Sequence, residues 1–155
     1  MTQKCIKCGE MFKLPLDFDV LPAICPNCFD KGNDKMVNNK RFKNWKYPEF
    51  DERNTTKWNW VAIHREKLKI GYGSDIGCFT FINAKYGVNI GKNVQIGSHT
   101  SIYSEDTERD IRGSVMIGEG ALIGSHCLIL PGVYIKPFRK IPAMSVVKDG
   151  DEIND

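Results

Sequence analysis

The chain has 155 residues, of which 41% are hydrophobic and 26% charged. This composition is ordinary for a soluble globular protein, and the chain is too long for a mini-protein that depends on cross-links for its stability. The net charge is +3, with 14 Lys and Arg against 9 Asp and Glu in residues 1–69 and 8 against 10 in residues 70–155; so dispersed an excess argues against nucleic acid as a partner. No stretch reads as a signal peptide or reaches the length of a membrane span, so we expect a cytoplasmic protein.

Four cysteines near the N-terminus form two C-x2-C pairs, Cys5 with Cys8 and Cys25 with Cys28, separated by 16 residues. Two such turns aim four thiolates at one cation, the closed tetrahedral set expected of structural Zn²⁺. Disulfides are disfavoured without a secretory signal, and a redox role is disfavoured without a strand-to-helix unit around either pair. We therefore expect residues 1–30 to form a zinc-ribbon-like segment whose metal stabilises a short stretch of chain.

Residues 31–66 contain all three tryptophans, Trp45, Trp58 and Trp60, among basic and amide residues. Interleaved aromatic and basic residues occur in proteins that bind single-stranded nucleic acid, but this segment lacks the alternating strands of such a module. We expect it to connect the zinc-ribbon-like segment to the repeat that follows and to cap the first coil of that repeat, because an uncovered coil exposes apolar surface and unpaired backbone.

An aliphatic residue returns at every sixth position from Ile117 to Val147, and the same phase runs upstream from Ile70 to Ile82 and from Ile90 to Ile102. This period fits neither an amphipathic helix nor the simple alternation of a strand, and it defines a hexapeptide repeat. Three hexapeptides make one triangular coil of about 18 residues, and coils stack at about 4.8 Å. The pattern predicts an all-β chain with about four coils over residues 67–150, followed by an acidic tail at 151–155.

Two interruptions of the phase, after Ile82 and after Ile102, predict loops. The residue two positions before each aliphatic is small in nearly every hexapeptide, as expected of a second inward position with limited volume, and Arg139 is the exception. A β-sandwich would require turn signals every 8–12 residues instead of a constant phase, so we reject it.

The stretches "IGEGALIGSHCLILPGVYI" and "SVVKDG" resemble the closing coils of the hexapeptide-repeat acyltransferases, which include maltose, galactoside and serine acetyltransferases. The resemblance covers about residues 67–150. It implies a left-handed parallel β-helix, a homotrimer, acetyl-CoA as the acyl donor, and active sites in the clefts between neighbouring subunits.

The motif "IGSH" occurs twice and ends at His99 and at His126. Both histidines follow the second aliphatic of their coil by three residues, so we expect them to lie one above the other in a column that also holds Phe79 and Met144. The alternation of a short strand is expected to turn this position outward. The plainer interpretation is a turn residue that the repeat duplicated. Because imidazole titrates near neutral pH and the resembling family reacts at outward seams, we favour a general base.

We assign the base to His99, because its coil also carries the longest loop, residues 103–114. His126 is expected to assist His99 or to contact the donor. In the maltose and galactoside acetyltransferases the catalytic histidine lies in the corresponding loop, which here contains Glu105 and Asp106 instead. Glu105 is a candidate to orient the imidazole of His99, with solvation of the loop as the alternative.

For the acceptor, Asp75, Asn83 and Asp106 are candidate contacts to hydroxyl or amino groups, and a hydrated or Asn-stabilised turn is the plainer role for each of them. For the donor, Lys136, Arg139 and Lys140 cluster where the resembling family holds the nucleotide end of CoA. These cations suit its phosphates, although a solvated basic loop has the same composition.

The resemblance and the histidine column predict an acyltransferase that moves an acetyl group from acetyl-CoA to a small acceptor, with a sugar or a nucleotide-linked sugar expected. The alternative is a non-catalytic assembly subunit that uses its zinc ribbon for protein contacts. A carbonic-anhydrase-like site would need three histidines, and the third one, His64, lies outside the repeat phase.

Overall fold

The computed structural model describes residues 2–4, 11–13, 42 and 44–151, and the chain divides into two compact units, residues 1–38 and 39–155. In the first unit, strands β1 (Thr2–Lys4) and β2 (Met11–Lys13) pair antiparallel, with Gln3 opposite Phe12. All four predicted zinc ligands, Cys5, Cys8, Cys25 and Cys28, lie outside the described residues.

The second unit is a parallel β-solenoid of about four turns, as the repeat predicts. Its strands form three faces, each a parallel sheet. Face 1 contains β4 (Leu68–Ile70), β7 (Val88–Ile90), β12 (Val115–Ile117) and β15 (Tyr134–Ile135). Face 2 contains β5 (Asp75–Ile76), β8 (Gln95–Ile96), β13 (Leu122–Ile123) and β16 (Lys140–Ile141). Face 3 contains β3 (Val61–Ile63), β6 (Phe81–Asn83), β9 (Ser101–Tyr103), β14 (Leu128–Ile129) and β17 (Val146–Val147).

The aliphatic residues of the repeat stack in register along each face. On face 2, for example, Ile76 lies opposite Ile96, Ile96 opposite Ile123, and Ile123 opposite Ile141. All twelve repeat aliphatics are buried, with exposed fractions of 8% or less. Burial of these stacked aliphatic side chains stabilises the fold by about 25 cal/mol for each Å² of apolar surface removed from water. The parallel register lets each coil form on the edge of the one before it.

Three corners connect the faces. Corner 1–2 comprises residues 71–74, 91–94, 118–121 and 136–139, and corner 2–3 comprises residues 77–80, 97–100, 124–127 and 142–145. Corner 3–1 comprises residues 64–67, 84–87, 104–114 and 130–133 and includes a short 3₁₀ helix at Arg65–Lys67. Both interruptions of the repeat fall at corner 3–1, where residues 104–114 form a hairpin of β10 (Glu105–Asp106) and β11 (Ile111–Arg112).

Residues 44–66, which we call the tryptophan-containing segment, pack on the first turn of the solenoid. Trp60 is 1% exposed and belongs to the core, and the ring of Phe50 meets its ring edge-on at 5.1 Å. The Trp45 indole N–H donates to the carbonyl of Ser74 at 2.8 Å. Strand β3 of this segment also pairs with β6, so face 3 begins before residue 67. Within the described residues, no helix is long and apolar enough to cross a membrane.

Candidate functional site

The two histidines of the repeated motif stack on each other at corner 2–3. The rings of His99 and His126 are 4.6 Å apart between centroids and inclined by only 8°. The ring of Phe79 lies 5.1 Å from that of His99 on the preceding turn, inclined by 41°. Together with Met144 on the following turn, these residues form the outward column that the repeat predicts, which we call the histidine column.

The reason for the outward orientation differs from the one that the sequence suggested. Strand alternation was expected to turn the histidines outward, but both lie in turns, with left-handed φ values of 59° at His99 and 55° at His126. Their backbone N–H groups donate to the previous turn, to the carbonyl of Cys78 and of Ser98 respectively, each at 3.0 Å. The left-handed turn, not the strand, therefore aims both imidazoles away from the core.

Both imidazoles are exposed, and within the part of the chain that the structure describes no hydrogen bond engages either ring. Phe79 and His126 restrain the ring of His99 from opposite sides. A ring held in this way keeps its nitrogen edges open while its faces are covered, a geometry suited to exchanging a proton with a ligand at the surface.

Glu105 lies at corner 3–1, at the opposite end of β9 from His99. Both of its carboxylate oxygens accept hydrogen bonds from the Lys85 ammonium at 3.1 Å, and the Arg112 guanidinium lies 3.7 Å away. The bond with Glu105 and its negative charge raise the pKa of Lys85. Within one chain the structure therefore does not bring Glu105 to His99, and Glu105 instead ties the hairpin to the preceding turn.

Asp106 stabilises the same hairpin. Its carboxylate accepts a hydrogen bond from the Arg109 side chain at 2.6 Å and bonds from the backbone N–H groups of Glu108 and Arg109. These donors, the Arg109 side chain foremost, lower the pKa of Asp106. Sequence reasoning missed Arg109 and Arg112 as partners of the two loop carboxylates, although the run "EDTERDIR" shows that charges of opposite sign are close.

The two remaining acceptor candidates, Asn83 and Asp75, lie in different parts of the solenoid. The Asn83 side chain accepts a bond from the backbone N–H of Lys85 at 3.1 Å, which is the turn-stabilising role described above as the plainer one. Asp75 lies on face 2 opposite Gln95, half-buried, at the edge of a cleft formed with the tryptophan-containing segment. The structure thus places Asn83 at the end of β6, next to corner 3–1, Asp106 within corner 3–1, and Asp75 beside corner 1–2.

The three basic donor candidates lie together on the last turn. Lys136 and Arg139 belong to corner 1–2, and Lys140 begins β16. This corner keeps the hydrogen-bond pattern of the other turns, because the backbone N–H of Leu122 donates to the carbonyl of Arg139 at 2.8 Å. Arg139 occupies the small inward position of the repeat, and it is only partly buried there.

The predicted site residues therefore fall at three separate corners of one chain. The histidines lie at corner 2–3, and the hairpin carboxylates lie at corner 3–1 with Asn83 next to it. The basic cluster lies at corner 1–2 and the start of β16. Among the described residues, no three His, Cys, Asp or Glu side chains converge on a point that would hold a metal ion. No family model, curated protein or solved structure matches the chain.

Proposed function

We propose that this protein is an acetyl-CoA-dependent acyltransferase that acetylates a hydroxyl or amino group of a small acceptor, a sugar or a nucleotide-linked sugar. The observation that carries the proposal is the histidine column, in which two parallel imidazoles are exposed on an otherwise regular β-solenoid. A solenoid of this kind needs no histidine for stability at an exposed turn, since Phe79 and Met144 occupy the same position on other turns.

His99 serves as the general base. Its imidazole takes the proton from the acceptor as the oxygen or nitrogen attacks the thioester carbonyl, and the resulting oxyanion is stabilised by a backbone N–H. The tetrahedral intermediate then collapses, the carbon–sulfur bond breaks, and the CoA thiolate leaves and takes up a proton. His126 stacks on His99 and supports its orientation.

A homotrimer supplies the rest of the site. Because the histidines, the hairpin carboxylates and the basic cluster lie at different corners of one chain, a cleft between two subunits is the arrangement in which they meet. In that cleft Lys136, Arg139 and Lys140 contact the phosphates of CoA, and Glu105 and Asp106 line the acceptor side. The Zn²⁺ of the N-terminal segment is structural and takes no part in the reaction.

The test replaces His99 by asparagine. Asparagine tolerates the left-handed backbone required at φ 59°, so the variant removes the base without straining the turn. We expect the rate of CoA thiol release with an acceptor panel to fall by about 10²–10⁴-fold, the usual contribution of a general base.

His64→Asn is the matched control, because His64 is also exposed and also has a left-handed φ, 57°, but lies outside the column. It should retain full activity. A His99→Asn protein that folds and turns over within twofold of the parent would refute the assignment. If the parent protein neither binds acetyl-CoA in calorimetry nor releases CoA with any acceptor, the non-catalytic assembly role is the better account.

A further inference from the structure

A cleft of about 780 Å³ lies between the tryptophan-containing segment and the start of face 2. One wall is formed by residues 44–51 and 55–58, and the other wall is formed by Ser74, Asp75 and Ile76. The cleft is set by the fold of this segment, because the Trp45 indole is bonded to Ser74 and the Tyr47 hydroxyl to the carbonyl of Leu68. The repeat itself does not create it.

Trp58 has no role in the core that explains its presence. Its side chain is 48% exposed, whereas Trp60, two residues later, is 1% exposed. The Lys57 ammonium lies over its ring, 4.5 Å from the centroid. An indole held at the mouth of a cleft provides a flat apolar surface on which a ring-shaped ligand can stack.

The polar residues of the cleft carry charges of both signs. The acidic residues are Glu49, Asp51 and Asp75, and the basic residues are Lys46 and Lys57. Uncharged hydrogen-bonding residues such as Asn44 and Thr55 also line the cleft. Neither a strong anion nor a strong cation suits such a lining. A neutral ligand with apolar ring faces and many hydroxyl groups suits it, since it can stack on aromatic rings and hydrogen-bond to donors and acceptors at once.

One residue of the cleft, Trp58, is adjacent in the chain to the position from which the histidine column continues. Trp58 directly precedes Asn59, which has a left-handed φ of 60° and whose carbonyl accepts the backbone N–H of Phe79 at 2.7 Å. Because Val61 pairs with Phe81, and Phe81 with Ser101, the residues two positions earlier, Asn59, Phe79 and His99, hold the same position on successive turns. Two coil spacings separate Asn59 from His99, about 10 Å, which is more than a single sugar ring spans.

We propose that the cleft binds the non-reacting rings of an oligosaccharide acceptor whose reacting group lies at His99. This inference rests on the proposed acetyl transfer and specifies its substrate class: a saccharide of two or more units. Trp58 stacks against one of the remote rings, and Asp75 accepts hydrogen bonds from its hydroxyl groups.

The experiment measures the binding of two trisaccharides, maltotriose and chitotriose, and of their monosaccharides, glucose and N-acetylglucosamine, by calorimetry and tryptophan fluorescence on the full chain. We expect at least one trisaccharide to bind at least tenfold more tightly than its monosaccharide. Trp58→Ala should weaken that binding at least tenfold and raise KM for the trisaccharide without changing kcat, and Trp58→Phe should restore most of the affinity.

Tyr86→Leu is the matched control, because Tyr86 is also exposed and also has a lysine, Lys85, over its ring, at 5.5 Å, but lies at corner 3–1. It should leave binding unchanged. Equal affinity for trisaccharides and monosaccharides, or trisaccharide binding that Trp58→Ala does not alter, overturns the inference even if acetyl transfer occurs. Tight trisaccharide binding that depends on Trp58, with no CoA release, overturns the proposed transfer and leaves the cleft as a saccharide site.

Discussion

The glycine two positions before each histidine determines how closely the turns of corner 2–3 can stack. A Cβ atom on Gly97 would collide with the backbone nitrogen of Ser125, and one on Gly124 would collide with that of Ala143. The motif "IGSH" thus combines a residue that permits close stacking with a residue in the left-handed conformation. The sequence predicted the column, but it did not reveal that histidine replaces the usual glycine or asparagine at a positive φ.

Gly97→Ala should destabilise the solenoid, because backbone atoms of the next turn cannot move aside as a flexible side chain can. We expect a loss of about 3 kcal/mol, the upper part of the range for overpacking, measured by urea unfolding. Gly150→Ala is the control, since Gly150 has a φ of 82° but no atom within 4 Å of an added Cβ; strain alone should cost about 1 kcal/mol. Equal losses in the two variants would contradict the stacking argument.

At the scale of the element, the hairpin of β10 and β11 departs most from the repeat. Buried Ser104 anchors it: its hydroxyl donates to the carbonyl of Asn83 at 2.7 Å and accepts the backbone N–H of Tyr86 at 3.0 Å. The sequence located this loop from the broken phase. Its ion pairs were not predictable, because they join Glu105 to Lys85 across 20 residues, and only the stacking of turns brings the two together.

The hairpin should respond to acid. The pKa of Asp106 is lowered from its ordinary value of 3.8, so its stabilising effect is complete above pH 3.8 and is lost as the pH falls through the lowered value. In an NMR titration the amide signals of Glu108 and Arg109, which donate to Asp106, should shift together with a midpoint below 3.8. Asp106→Asn should abolish this transition. A midpoint at or above 3.8 would contradict the role assigned to Arg109.

At the scale of the whole molecule, the exposed apolar residues of the histidine column indicate where subunits meet in the proposed trimer. Phe79 is 60% exposed and Met144 74% exposed in a single chain. Exposed apolar side chains that line one surface are typical of sites where proteins associate. The column that carries the proposed base is therefore also the seam that we expect to be covered by a neighbouring subunit.

Light scattering should give a mass three times that of the 17.6 kDa chain. Phe79→Asn should shift the protein toward the monomer, because it removes apolar surface at the seam while keeping a residue suited to the φ of 60°. A monomeric parent, or a trimer that Phe79→Asn leaves intact, would argue against this seam.

The zinc prediction concerns the N-terminal unit and is tested by metal content. We expect one Zn²⁺ per chain by elemental analysis and its loss in Cys5→Ser, because three thiolates and a hydroxyl bind Zn²⁺ far more weakly than four thiolates. Cys78→Ser is the control, since Cys78 is an exposed free cysteine within the solenoid. Zinc that persists in Cys5→Ser would exclude the four-cysteine site.

The sequence by itself determined the solenoid, its register and the histidine column. A six-residue period of aliphatic residues can bury all of them only if the chain forms stacked coils with these residues in register. Only the tertiary structure decided the distribution of the other site residues over three corners, the pairing of Glu105 with Lys85, and the cleft beside Trp58. These features depend on contacts between residues that are distant in the chain, and no local period encodes them. The repeat specifies which residues share a face, whereas the packing of irregular segments on it specifies which side chains meet.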